Sequence, residues 1–337
     1  MSFSNFETFV IDKTCVMKRN LSIDLIKTIA MFMILGLHIF KTGLVEPSFI
    51  LKCNYGYNCI AVPLFFMVSG YLLSQKDLTF VYSVKKIVGI LKFVFLTITI
   101  ISLKDIFLHG TFYFIEYYRW IIQEGYMWQY WYFASMIIIY FLSPLLQKII
   151  RSKYLLPVFL FLVVICFFFF ILNSMCQFER KHVIQSFRLW YWLLYFFLGA
   201  IINKYQLKLK GIKWYHAILM CIFYTTFQIS DYFHVGRNEY YFGSIICMLY
   251  AITVFCACLN INIEKSTFIS TISSLFLPVY AVHPIIMGIV ISKIDFLSTI
   301  GNSFAQYIVV YIVSAIIIVS FSYFLMKIPF VKDIFKI

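Results

Sequence analysis

An all-α, polytopic membrane bundle of about ten transmembrane helices is the fold class this sequence predicts, and three observations predict it. Of 337 residues, 63% are hydrophobic and only 12% charged, against about 25% charged in an ordinary soluble domain. The mean hydropathy is +0.90, which leaves too little polar surface for a water-soluble globule. Apolar runs of roughly 17 to 25 residues recur along the whole length, each long enough to cross about 30 Å of hydrocarbon.

Taken in order, the runs place spans at about 21–41, 56–75, 84–108, 127–148, 154–173, 187–203, 213–230, 241–260, 272–292 and 304–326. The third is the longest and has length to spare for a tilt or a kink. Connections between them are short, so the chain divides into a segment 1–18, one membrane domain 19–327, and a tail 328–337. The first run ends without a small-residue cleavage signal, so it is expected to be retained.

Net charge is +14, but Lys and Arg are scattered over short flanks and form no stripe with base-stacking aromatics, which argues against nucleic acid. Their distribution reads as topology. With the N-terminus inside, the cytoplasmic flanks hold about twice as many basic residues as the opposite side, and this bias predicts that both termini are cytoplasmic. Segments 109–126, 174–186 and 231–240 then lie outside and carry Trp, Tyr, His, Glu and Arg, a mixture suited to an interface and to a sugar. The cell membrane is the expected location.

Nine cysteines lack metal-ligand spacing, and those inside apolar runs, such as Cys166, Cys221 and Cys247, behave as small hydrophobes. Cys53 and Cys59 share one outer loop, where an oxidising compartment permits a disulfide. The six histidines are dispersed, with no two at ligand spacing on one helix, so no metal is expected. The signatures of nucleotide hydrolysis, hydride transfer, zinc hydrolysis and elbow-type serine hydrolysis are also missing. Any catalysis must use residues inside the bundle.

A charged group within a span costs roughly 2.5–3.5 kcal/mol on insertion scales, so it calls for a partner or a function. Asp24 and Lys27 stand one turn apart in the first span and can pair. Lys27 and His38 differ by an offset of only about 20° around the helix, so all three residues face one direction, with roughly 16 Å of helix between Lys27 and His38. Two readings stay open from spacing alone: an interfacial ion pair with His38 at the outer headgroup boundary, or one polar path.

Ser69 and Gly70 in VPLFFMVSGYLL read first as a close helix contact. Trp128, Trp131 and Tyr132 in MWQYWYF read first as an aromatic belt. His283 in LPVYAVHPII stands beside Pro284, whose missing N–H frees a carbonyl, so the place is either a site or a packing kink.

RNLSIDLIKTIAMFMILGLH resembles the opening of the acyltransferase-3 family of membrane acyltransferases, in which a basic residue is followed after ten positions by a histidine, here Lys27 and His38. Arg19 and Asp24 match the family's upstream arginine and acidic residue. Further likenesses follow in order: PLFFMVSGYLL, YFLSPLL, WYWLLYFFLGAII and ISSLFLPVYAVHPII. Two departures stand out. Lys27 replaces the more usual arginine, which keeps the charge and loses bidentate anion geometry, and Gln129 stands at about the place where related chains often have a histidine.

The resemblance implies transfer of an acetyl or other short acyl group from acyl-CoA, a donor substrate with no bound cofactor, onto a hydroxyl of an envelope polysaccharide or its lipid-linked precursor. It assigns Arg19 and Lys27 to the donor's phosphates, Asp24 to orienting Lys27, and His38 to the general base, since an imidazole titrates near neutrality. Ser69, Tyr71, Trp131 and His283 are expected along the substrate path. Polysaccharide-synthesis machinery is the expected protein partner, and the competing function is a transporter or flippase for a lipid-linked sugar.

Overall fold

A computed structural model describes residues 19–39, 49–125, 127–176, 178–207, 209–234, 241–293, 300 and 303–335. Among these there are helices and no strands. They are α1 (Leu21–Ile39), α2 (Phe49–Asn58), α3 (Ala61–Leu73), α4 (Phe80–His109), α5 (Glu116–Arg119), α6 (Trp131–Arg151), α7 (Leu155–Cys176) and α8 (Phe178–His182). The chain continues with α9 (Leu189–Lys204), α10 (Trp214–His234), α11 (Ile245–Leu259), α12 (Thr267–Ser274), α13 (Phe276–Lys293), α14 (Ser303–Leu325) and α15 (Pro329–Ile334).

Each of the ten expected spans falls on helix, but among the described residues six helices are long and apolar enough to cross a membrane, seven if the pair α12–α13 is one span bent by 59°. The difference from ten has a compositional cause. Helices α9 and α11 are apolar but short, and α10 is diluted by Tyr, Thr, Gln, Ser, Asp and His. The span expected at 56–75 is among the six, running from Gly56 to Leu73 through the short step at Cys59 and Ile60 that separates α2 from α3.

The break in the ninth span comes at Leu275, before the His283–Pro284 pair where a kink was expected. Pro278 accounts for it. A proline has no N–H to give to the carbonyl four residues back, here that of Ser274, but it is tolerated in the first turn of a new helix. Pro284 is instead accommodated inside α13.

The core is built around α3 and α9. A Cβ placed on Gly70 would lie 1.8 Å from the carbonyl oxygen of Phe196, and one on Gly199 would lie 1.9 Å from that of Met67. The two backbones therefore touch, as small residues allow in membranes. Of the span Gly56–Leu73, which contains α3, 78% is buried, whereas α7 buries 17% of its spanning window and turns Leu160, Phe161, Val164, Phe168 and Met175 outward. That all-round apolar surface suits hydrocarbon.

Helix α1 packs against α2, α3, α11, α12, α13 and α14, so residues on one helix reach most of the bundle. At its N-terminal end the neighbouring connections are tied by polar bonds. Gln147 Nε2 donates to the Lys76 carbonyl at 2.5 Å, and Lys204 Nζ donates to the carbonyl of Ile150 at 2.6 Å. The tail folds back onto α4, with the Phe335 ring 5.4 Å from that of Phe93. Cys53 and Cys59 are both free thiols, so the disulfide permitted by the sequence is not formed. The reason is local: Cys59 is buried, with its sulfur 3.0 Å from the Tyr224 hydroxyl.

The glycine contact predicts a selective sensitivity. Gly70→Ala and Gly199→Ala each force a methyl into a backbone carbonyl and are expected to destabilise the bundle by about 1–3 kcal/mol or more. Gly288→Ala, where nothing lies within 4 Å, is expected to leave the thermal midpoint of purified protein unchanged.

Candidate active site

The site begins at the N-terminal end of α1. Asp24 lies in the first turn of the helix, where a carboxylate is favoured by the helix dipole, and it is buried among partners. Arg19 Nε donates to Asp24 Oδ2, Ser273 Oγ donates to Oδ1 at 2.7 Å, and Lys27 Nζ stands 3.7 Å from Oδ1. Arg19 also donates to the Ser270 carbonyl at 2.6 Å. The carboxylate thus joins α1 to α12 and holds both cations in place.

These groups border a cavity of about 730 Å³, whose lining includes Arg19, Asp24, Lys27, Tyr71, Gln75, Asn203 and Ser273. Its size lies within the usual range for small-molecule sites, about 300–1,000 Å³. A second cavity of about 300 Å³ continues from it, sharing Lys27 and Leu72. Lys76 and Lys86 join Lys27 in its lining, and no Asp or Glu does. Both ammonium groups lie over the Tyr82 ring, at 5.6 and 5.8 Å from its centre. The rest of the wall is apolar and aromatic and includes Phe65, Ser69, Tyr132 and Phe276.

Further along α1 is a third, small cavity of about 40 Å³, lined by His38, Cys59, Trp128, Gln129, Trp131, Gln185 and Tyr280, among others. His38 is held between two rings. Its centre is 5.2 Å from that of Trp128 and 4.7 Å from that of His283. His283 is fully buried, and its Nδ1 lies 2.9 Å from the Tyr280 carbonyl and 3.2 Å from that of Val279. Tyr280 in turn donates its hydroxyl to the Gln129 carbonyl, which fixes α13 against the turn Trp128–Tyr130.

The second and third cavities share no lining residue. Between them stand Phe65, Phe276, Tyr132 and Tyr280 in ring contact: Phe65 to Phe276 at 4.3 Å, Phe276 to Tyr280 at 5.7 Å, and Tyr132 to Tyr280 at 6.0 Å.

The residues singled out from the sequence therefore fall into two groups. Arg19, Asp24, Lys27 and Tyr71 gather at the wide cavity, and Ser69 lies on the second, its hydroxyl donated back to the Phe65 carbonyl at 2.9 Å. His38 and Trp131 border the small cavity, and His283 meets His38 in ring contact. Several neighbours were not anticipated. In the sequence Lys76 and Lys86 read only as topological charges, Gln185 falls in a connection between helices, and the Ser273 hydroxyl sits in an ordinary Ile-Ser-Ser run. Among the described residues, no group of three His, Cys, Asp or Glu side chains is placed to hold a metal.

The acyltransferase domain family matches residues 20–327. The chain belongs to the acyltransferase-3 family. No curated protein and no solved structure matches it. Membership makes the protein an acyltransferase whose domain is a bundle of membrane helices, and the match covers α1 through the whole of α14 and, Arg19 apart, the lining of every cavity described above.

The shared carboxylate makes Asp24 the most consequential ionic group at the wide cavity. Asp24→Ala leaves Arg19 and Lys27 without their common partner. Because the two side chains are 53% and 28% exposed, the loss is expected to be about 2 kcal/mol, below the roughly 3–5 kcal/mol of a fully buried pair. Denaturation of the purified variant checks it, and Asp24→Asn, which keeps an acceptor for Ser273, is expected to lose less.

Proposed function

We propose that this protein moves a short acyl group, acetyl in the simplest case, from acyl-CoA onto a hydroxyl of a cell-surface polysaccharide or its lipid-linked precursor. The observation that carries the reading is the arrangement along α1, which runs from a wide cationic cavity to the half-buried imidazole of His38. Acyl-CoA brings several phosphates, and cations at the mouth of a low-dielectric cleft attract them. Arg19 and Lys27 meet the phosphates first, and Lys76 and Lys86 extend the positive lining into the second cavity.

Chemistry takes place near His38. A sugar hydroxyl is a weak nucleophile and needs a base whose affinity for protons suits neutral pH. His38 accepts the hydroxyl proton as the oxygen bonds to the thioester carbonyl carbon. The carbon–sulfur bond then breaks, and the proton passes to the departing thiolate, so the products are an ester and free CoA. Trp128, Trp131 and the amides of Gln129 and Gln185 give the small cavity the rings and hydrogen-bonding groups that suit a sugar. Basic flanks place both termini on the cytoplasmic side of the cell membrane in this reading, with the wide cavity facing the cytoplasmic donor.

Membranes carrying the protein, incubated with labelled acetyl-CoA and a glycan acceptor, test the proposal. His38→Ala is expected to slow transfer by about 10²–10⁴-fold. Lys27→Ala is expected mainly to raise the KM for the donor and to make that KM less sensitive to salt. Normal transfer by His38→Ala removes His38 as the base, and glycan crossing the bilayer with no acyl donor consumed replaces the enzyme by a transporter.

A further inference from the structure

His283 is the buried polar group of this region that the acyl-transfer scheme leaves unused. Its neighbour Pro284 has no N–H to give to the carbonyl four residues back, which is that of Tyr280. The His283 ring supplies the missing donor, with Nδ1 2.9 Å from that oxygen. A carbonyl oxygen only accepts, so the contact places the ring proton on Nδ1 and leaves the lone pair on Nε2. That Nε2 is fully buried and has no hydrogen-bond partner among the described residues. A buried acceptor left without a donor is unfavourable, and the ring beside it is that of His38, 4.7 Å away between centres.

We infer that His283 is the positioning residue for the base: its Nε2 accepts an N–H from His38, and this bond orients the His38 ring and stabilises the charge it takes up. The inference rests on the acyl-transfer reading with His38 as the base. With one His38 nitrogen bearing a proton toward His283, the other nitrogen is the one that takes the hydroxyl proton. His38 then holds two protons until the leaving thiolate receives one, and His283 keeps its own throughout. The role is the one a carboxylate plays behind a catalytic histidine, here filled by a neutral imidazole whose tautomer a proline has set. A neutral acceptor suits this place, since no Asp or Glu lines the small cavity and an unpaired carboxylate would be expensive to bury.

Asparagine and glutamine separate this role from a packing role. His283→Asn keeps an N–H near the place of Nδ1 and leaves nothing at Nε2, whereas His283→Gln sets an amide oxygen near the place of Nε2. In purified protein, His283→Asn is expected to lower kcat about 100-fold with both KM values nearly unchanged, and His283→Gln is expected to recover much of the loss. Equal activity of the Asn variant and the wild type, a defect confined to KM, or a Gln variant no better than Asn overturns the inference.

A second measurement is independent of turnover. In protein labelled with ¹⁵N-histidine, the His283 signals are expected to report a protonated Nδ1 and an acceptor Nε2, and His38→Ala is expected to move the Nε2 signal alone. A proton on Nε2, or an Nε2 signal indifferent to His38, overturns the pairing. A wild-type protein that transfers no acyl group from acyl-CoA overturns the acyl-transfer reading, and the spectra then decide the pairing by themselves.

Discussion

The carboxylate of Asp24 is the charge on which the two ends of the chain meet. Buried without partners, it would carry a large desolvation cost. Here it accepts from Arg19 and from Ser273, which lies 249 positions further on, and it stands beside the Lys27 ammonium. The contact fixes α1 against the broken pair α12–α13, and the remainder of the site follows from that docking. It leaves Lys27 on the shared border of two cavities, and it sets α13 where its His283 ring meets that of His38.

Much of this was legible in the residues, and the parts that were not share a cause. Hydropathy finds the helices because a bilayer imposes the length of each apolar run, and every expected span coincides with one. Helices α9, α10 and α11 are too short or too diluted to meet the length and hydropathy expected of a span. The direction faced by Asp24, Lys27 and His38 can be read from helical geometry because all three belong to one element. The meeting of His38 with His283, or of Asp24 with Ser273, depends on the packing of different helices, which no local period encodes. Pro278 and Pro284 look alike in the sequence. One breaks a helix and the other is absorbed inside it, because the imidazole before Pro284 takes over the freed carbonyl.

The contact of α3 with α9 has a different part in the site. With carbonyl oxygens where methyl groups would be, these helices have no room to slide, so Ser69 and Tyr71 are carried on a unit locked to α9. Around it, residues of α1, α4, α6 and α13 form the opposite walls of the cavities. Adjustment to a substrate falls to those walls, where contacts run through side chains rather than through touching backbones.

The four rings of Phe65, Tyr132, Phe276 and Tyr280 stand between a cationic chamber and an imidazole cavity within a sheet of lipid. A polar duct running the full depth of the bundle would conduct protons and small ions and would drain the membrane potential. Packed aromatic carbon has no dipoles that follow an ion, so the rings act as an insulating septum. The fold can thereby keep a cationic chamber beside a smaller polar cavity with no continuous polar duct joining the two.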